Sequence, residues 1–212
     1  MRYIGFDLGD GESAVALLEQ GSSIEPIVQE IGGSQSIISA VGVQNGQIVV
    51  GEQAYAGVLS QDLAVRFKSR FTYDSASADD VARFAKGVLA ALRGKGCLHS
   101  DDRFVVGCPA GWNAACRLRY QSVLERAGLG QMQVISESRA AFLYAKYAKT
   151  VALDIDVMRE SALVVDIGSS TLDFAYIVDG RETGVGTFGD IHLGGGVLDA
   201  ALLERALEKC PH

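Results

Sequence analysis

Val164-Val165-Asp166-Ile167-Gly168-Ser169-Ser170-Thr171-Leu172-Asp173-Phe174-Ala175 decides how this chain is read. An apolar strand runs into a Gly/Ser/Thr turn held between two carboxylates and leaves as a second apolar strand, the pattern of a hairpin and not of a strand-to-helix loop. Such a turn offers backbone N–H groups and hydroxyls to phosphate oxygens, and its carboxylates suit a hydrated divalent cation. Taken alone, the stretch reads equally well as an ordinary polar hairpin. Its repetition separates the two readings. Ile4-Gly5-Phe6-Asp7-Leu8-Gly9-Asp10-Gly11-Glu12-Ser13-Ala14-Val15-Ala16-Leu17 has the same form, with Asp7 falling on Asp166 and Gly9 on Gly168 at an offset of 159 residues. Two strand-Asp-x-Gly-strand units imply a duplicated domain whose halves face each other across a nucleotide's phosphates.

The composition is consistent with that reading. At 212 residues the chain has length for one large domain or two small ones, each with a buried core. Hydrophobic residues make up 48 % and there are only 3 prolines, so the chain is globular and not disordered. A formal charge of −7 argues against nucleic acid or an anionic membrane as partner. No basic-then-apolar leader opens the sequence and no apolar run reaches ~18 residues, so the expectation is a soluble cytoplasmic protein. Cys97, Cys108, Cys116 and Cys210 show no CxxC spacing and read as reduced structural thiols. With His99, His192 and His212 scattered among them, no zinc site is expected.

Taken in order, residues 3–8 and 13–18 form the first hairpin and 24–29 a third strand. Strands over 36–43 and 47–50 flank Gln44-Asn45-Gly46, the strongest short hairpin signal in the chain. A short helix follows at 52–59. Helical spacing of Val81, Phe84, Ala85, Val88, Leu89 and Leu92 predicts a helix over 79–92, with Ser77 as N-cap and Gly94 as stop. Then come a buried strand over 103–108 ending at Pro109, a helix over 114–127 stopped by Gly128, a strand over 133–136 and a helix over 138–149. This succession predicts a mixed sheet with flanking helices. Trp112 is expected to sit beside the Pro109 loop.

Residues 151–160 read as the connection between halves, dividing the chain into a first lobe at 1–160 and the start of a second at 161–212. The second half continues with strands over 161–167, 172–178 and 181–187 around Asp179-Gly180, and a helix over 197–208. The run Gly194-Gly195-Gly196 before that helix lets backbone amides approach a ligand at its positive end. Only 46 residues follow Asp166, so a second half on the plan of the first would extend roughly a hundred residues further. Without them an apolar surface of the second lobe is expected to stand exposed, able to drive homodimerisation.

Four stretches carry a family resemblance. They are Gly5-Phe6-Asp7-Leu8-Gly9; Asp166 to Asp173; Glu137-Ser138-Arg139-Ala140-Ala141, preceded by Val106-Gly107-Cys108-Pro109-Ala110 and a helix bearing Arg117; and Gly189-Asp190-Ile191-His192-Leu193-Gly194-Gly195. In these the chain resembles the nucleotide-binding domain of the DnaK-type heat-shock protein 70 chaperones, within the actin, sugar kinase and heat-shock ATPase superfamily. The resemblance implies the ribonuclease-H-like, actin-like ATPase fold, an α/β architecture duplicated in two lobes, here with the second incomplete. It implies ATP/ADP with Mg2+ as cofactors, admits K+ as a further ion, and brings protein clients or co-chaperones as partners.

Position by position, the resemblance implies that Asp7 and Asp166 hold magnesium through water, with Glu137 nearby. Thr171 and Asp173 fall near the γ-phosphate and the attacking water, where a metal neutralises phosphate charge and a carboxylate orients the water. Gly9, Asp10, Gly11, Gly168, Ser169 and Ser170 form the phosphate turns, and Gly194 and Gly195 the phosphate loop of the second lobe. Lys68 is the candidate for the lysine that approaches the γ-phosphate, a surface lysine being the other reading. Glu137 equally suits a helix N-terminus, where the dipole favours an acid, and His192 a hydrogen-bonded structural role.

Departures from the family pattern matter as well. Asp10-Gly11 stands where two hydroxyl residues are usual, and a carboxylate there repels phosphate unless something offsets it. Ser138-Arg139 replaces Pro-Thr, and Ser169-Ser170 replaces glycines, restricting close backbone approach. The expected activity is ATP binding and slow hydrolysis coupled to lobe motion in the complete protein, with this chain alone weak or inactive. The alternatives are an actin-like assembly or scaffold protein, and a degenerate pseudo-ATPase used for protein binding. The Gly189 to Gly195 stretch argues against the first.

Overall fold

Alternation makes the first strand, β1 (Arg2–Leu8): Ile4, Phe6 and Leu8 point into the core while Gly5 and Asp7 face out. The structure is a computed structural model describing residues 1–21, 25–59, 61–147, 161–185, 187–190 and 193–210. The expected connection at 151–160 and His192 lie outside these. The chain divides into two compact units, Met1–Cys108 with Asn113–Ile135, and Pro109–Trp112 with Ser136–His212.

In the first unit β1 pairs antiparallel with β2 (Glu12–Glu19), with Phe6 opposite Val15 and Asp7 opposite Ala14. β3 (Ile27–Val28) and β4 (Ile37–Ile38) both add to β2. The strand expected over 36–43 is broken. Ser39 donates its amide to the Gly11 carbonyl at 2.8 Å and its hydroxyl meets that of Ser13 at 2.7 Å, so the chain leaves the main sheet there. β5 (Ala40–Gln44) and β6 (Gln47–Val50) begin a second sheet around Asn45 and Gly46, both at positive φ (52° and 76°), as a tight hairpin turn requires. After α1 (Glu52–Gly57), β7 (Ala64–Val65) joins β5. α2 (Phe67–Arg70) is a single turn, and α3 (Ser77–Gly94) is the long helix.

α3 buries the six apolar residues that its spacing singles out, with Val81, Phe84, Val88, Leu89 and Leu92 each worth about 1.5–3 kcal/mol when removed from water and Ala85 less. Phe84 meets Phe67 at 5.3 Å between ring centroids and Phe6 at 6.5 Å. The caps differ from expectation. Ser77 lies inside the helix and donates its hydroxyl to the Asp74 carbonyl, while Asp74 Oδ1 accepts the Ala76 amide. Gly94 is also helical, and the chain turns away at Gly96, with φ 67°. β8 (Arg103–Cys108) then runs parallel to β1, α4 (Ala114–Arg126) ends before Gly128 at φ 103°, and β9 (Met132–Ser136) completes the sheet order β3-β2-β1-β8-β9.

A fork of charge fixes the parallel register of β1 on β8. Arg2 donates Nε to Asp102 Oδ1 at 2.8 Å and Nη2 to Oδ2 at 2.7 Å and to the Cys97 carbonyl at 2.7 Å. The His99 amide also donates to Asp102 Oδ2. Burial works against the charged carboxylate, but the Arg2 hydrogen bond, the His99 amide and the Arg2 charge outweigh it and hold its pKa below the usual range.

The second unit opens with α5 (Glu137–Tyr147), which packs against an antiparallel sheet. β10 (Ser161–Ile167) pairs with β11 (Leu172–Val178), placing Asp166 opposite Asp173, and β11 also carries β12 (Arg181–Glu182) and β13 (Phe188–Asp190). The strand expected over 181–187 stops at Glu182, because the Thr183 hydroxyl turns to the carbonyls of Tyr176 and Val185. α6 (Gly195–Lys209) closes the described chain. Asp173, Ala175 and Ile177 are buried on one face of this sheet, whereas Leu163, Val165, Ile167, Tyr176 and Phe188 are exposed on the other. α6 buries none of its residues, and Leu198, Leu202, Leu203 and Leu207 are each 60 % exposed or more. The exposed apolar surface expected of the second lobe is therefore present.

Because Asp102 has a depressed pKa in the fold, its contribution is complete above the unfolded value near 3.8 and fades as pH falls through the folded value. Arg2→Met is expected to lower the unfolding free energy by about 2–3 kcal/mol at pH 7. In urea titrations the gap between variant and parent should be full at neutral pH and narrow as the pH falls below the unfolded value and through the folded one.

Candidate functional site

The first turn is knitted to its surroundings by nearly every polar group it has. Gly9 is held where an added Cβ would collide with the Glu12 carbonyl. The Gly11 carbonyl accepts the Ser39 amide, and Glu12 Oε2 accepts the Ser36 hydroxyl at 2.6 Å. Asp10 reaches away from the turn. Its Oδ1 accepts the backbone amides of Lys68 at 2.8 Å and Ser69 at 3.0 Å, and Oδ2 accepts Ser69 at 3.1 Å. Lys68 is only 4 % exposed, so the surface-lysine reading is excluded. Asp7, two residues before Gly9, is exposed on the outer face of β1. The structure thus brings Asp7, Gly9, Asp10, Gly11 and Lys68 together in the first unit.

The second turn repeats the first in another setting. The Gly168 amide donates to the Thr171 carbonyl at 2.9 Å, closing the reversal. The amides of Gly195 and Gly196, at the start of α6, donate to the carbonyls of Gly168 and Ser169 at 2.9 and 2.8 Å. Both are therefore committed to the turn, where the sequence reading has them approach a ligand. A Cβ on Gly194 would lie 2.5–2.8 Å from backbone atoms of Ser170 and Thr171, so only glycine allows this seat. The Ser170 hydroxyl is buried without a hydrogen-bond partner among the described residues.

Asp173 is 2 % exposed, and its Oδ1 accepts the Gly111 amide at 3.2 Å. Gly189 lies opposite Asp173, where any Cβ would strike its carboxylate. Ser136 stands just ahead of α5, accepting the Arg139 amide and donating to Glu182 Oε2 at 2.5 Å, and Glu137 is the first helical residue. The second unit thus gathers Asp166, Gly168, Ser169, Ser170, Thr171, Asp173, Gly194 and Gly195. Ser36, Ser39 and Gly111, which support these turns, escape sequence reading. Gly111, next to Pro109-Ala110, is the one with a local signal, a glycine in a loop where backbones meet.

Each turn, taken by itself, has donors whose chemistry suits a phosphate and a hydrated divalent cation: the first has the Asp7 carboxylate and a bare backbone at Gly9, the second the Asp166 carboxylate, Gly168 and a Ser170 hydroxyl buried without a hydrogen-bond partner among the described residues.

The architecture is that of the actin-like ATPases. The crystal structure of MreB5 of Spiroplasma citri bound to ADP superposes with a TM-score of 0.70 at 18 % identity, over 98 % of this chain and 56 % of that one. Residues 95–211 match the family model described as Hsp70 protein, more than half of the sequence, and the chain belongs to that family. Chaperone protein DnaK of Thermosipho melanesiensis is 27 % identical over 219 residues, and that of Thermotoga neapolitana 28 % over 224. Each alignment takes in 97 % of this chain but only 36 % of the relative. Among the described residues no helix is long and apolar enough to cross a membrane.

Gly194→Ala should dislodge α6 from the turn at a cost of about 2 kcal/mol in urea unfolding. Faster hydrogen exchange at Gly195 and Gly196 is the accompanying sign, and unchanged protection of both would contradict the close packing.

Proposed function

We propose that this chain is a portion of a nucleotide-binding region that, in the complete protein, binds ATP with magnesium and hydrolyses it slowly to drive a motion between lobes. The carrying observation is the duplicated Asp-x-Gly hairpin, with its aspartate paired across to the returning strand in both copies, Asp7 to Ala14 and Asp166 to Asp173. Family membership supports the same reading, as does the donor chemistry of the two turns.

Asp7 and Asp166 would hold the magnesium through water. Magnesium, when bound, neutralises phosphate charge and favours attack on the γ-phosphate. Thr171 and Asp173 orient the attacking water, the latter held in place through its hydrogen bond from Gly111. Lys68, only 4 % exposed, is the lysine whose cation would approach the γ-phosphate. Glu137, in the first turn of α5, would lie near the metal when it is bound. Gly168, Ser169 and Ser170 line the phosphates from the second turn, and Gly9, Asp10 and Gly11 form the first. A role in protein quality control, with clients and co-chaperones as partners, follows from the family and belongs to the complete protein.

Isothermal titration of the chain with ATP and ADP, with and without magnesium, tests this reading beside Asp7→Asn and Asp166→Asn. Magnesium-dependent heat that weakens by about tenfold or more in either variant is expected. Equal binding by parent and variants would refute the assignment of the two aspartates.

A further inference from the structure

We infer that Asp10 is a positioning residue, a carboxylate that caps the segment carrying Lys68 and so fixes that lysine to the first phosphate turn. The inference rests on the nucleotide reading above and adds a residue to it.

A helix begins with amides that have no partner inside it, and the residue just before it normally supplies an acceptor from its own side chain. α2 lacks this. The residue before it is Arg66, in the left-handed region at φ 53° and ψ 35°, with no side-chain cap. The second and third helical amides, those of Lys68 and Ser69, go to Asp10, 58 and 59 residues earlier in the chain. A carboxylate is the strongest acceptor a side chain can offer, and here it is shared between two adjacent donors.

The neighbouring bonds make the segment rigid. Ser69 Oγ and Arg70 Nε both donate to the Arg66 carbonyl, and Arg70 Nη2 donates to that of Val65. These bonds tie residues 65–70 to one another, and Asp10 ties that segment to the turn. Since the Lys68 side chain is enclosed, its ammonium follows the backbone that Asp10 holds. The arrangement also answers a difficulty of charge. A carboxylate beside a phosphate is repulsive, but this one faces two amide dipoles in place of the ligand. Hydroxyls in the same position are shorter and carry no charge, so the acid is suited to reaching a loop from the turn.

The test compares Asp10→Ala, Asp10→Asn and Lys68→Ala in the full 212-residue chain. In amide hydrogen exchange, Asp10→Ala is expected to speed Lys68 and Ser69 by about tenfold or more while β10 and β11 amides keep their rates. Asp10→Asn retains an acceptor oxygen and should restore most of the protection. In titrations with MgATP and MgADP, Asp10→Ala should weaken ATP selectively, and should add nothing in a Lys68→Ala background. Unchanged exchange in Asp10→Ala would overturn the inference, as would additive losses or an unaltered ATP affinity despite faster exchange. If the parent chain binds no MgATP, nucleotide binding by this portion alone is refuted, while the exchange comparison still decides whether Asp10 holds the Lys68 segment.

Discussion

Two tight reversals of the backbone, one at Gly9 and one at Gly168, set the hairpins on which each unit of this chain is built. At Gly9 the returning Glu12 carbonyl occupies the space a Cβ needs, and at Gly168 the Thr171 carbonyl stands 3.4 Å from that point. Each reversal fixes the register of its hairpin. Register in turn decides which residues of the flanking strands face the core, because a slip of one residue would exchange the two faces. The aspartates two residues upstream are consequently set at equivalent places in both halves. Their equivalence is a result of turn geometry before it is a matter of chemistry.

Polar groups in these turns find their partners far along the chain. Asp10 serves the amides of Lys68 and Ser69, Gly11 serves Ser39, and Asp173 accepts from Gly111. Such bonds are individually modest, but leaving a buried partner unmatched costs about 1–3 kcal/mol. The turns and their supporting loops therefore form together. Arg2 and Asp102 act on the same principle at the opposite end of β1, where a fork of hydrogen bonds holds together strands that are almost a hundred residues apart.

The second unit is built more sparely. α5 covers one face of its sheet, and the glycines at 189 and 194 let β13 and the start of α6 approach the turn closely. The opposite sheet face and the whole of α6 keep their apolar side chains exposed. Exposed apolar area of this kind is where a soluble domain makes further contacts. The chain spans 36 % of the length of the DnaK relatives it matches.

The sequence by itself determined the elements whose pattern is local. Both Asp-x-Gly hairpins, the Asn45-Gly46 turn, β8 and the buried stripe of α3 follow from periods of two and 3.6 residues, and those periods do not depend on distant neighbours. The duplicated hairpin also suggested a phosphate site, and the proposed function rests on that reading together with the family resemblance. Only the tertiary structure decided where Asp10 points, why the strand before β5 breaks at Ser39, and that Ser77 lies within α3 and not before it. It likewise enclosed Lys68 and gave Asp173 its amide from Gly111. The reason is physical. Apolar burial follows from a residue's place in its own element, whereas a hydrogen-bonding group chooses among donors and acceptors that packing brings from elsewhere in the chain.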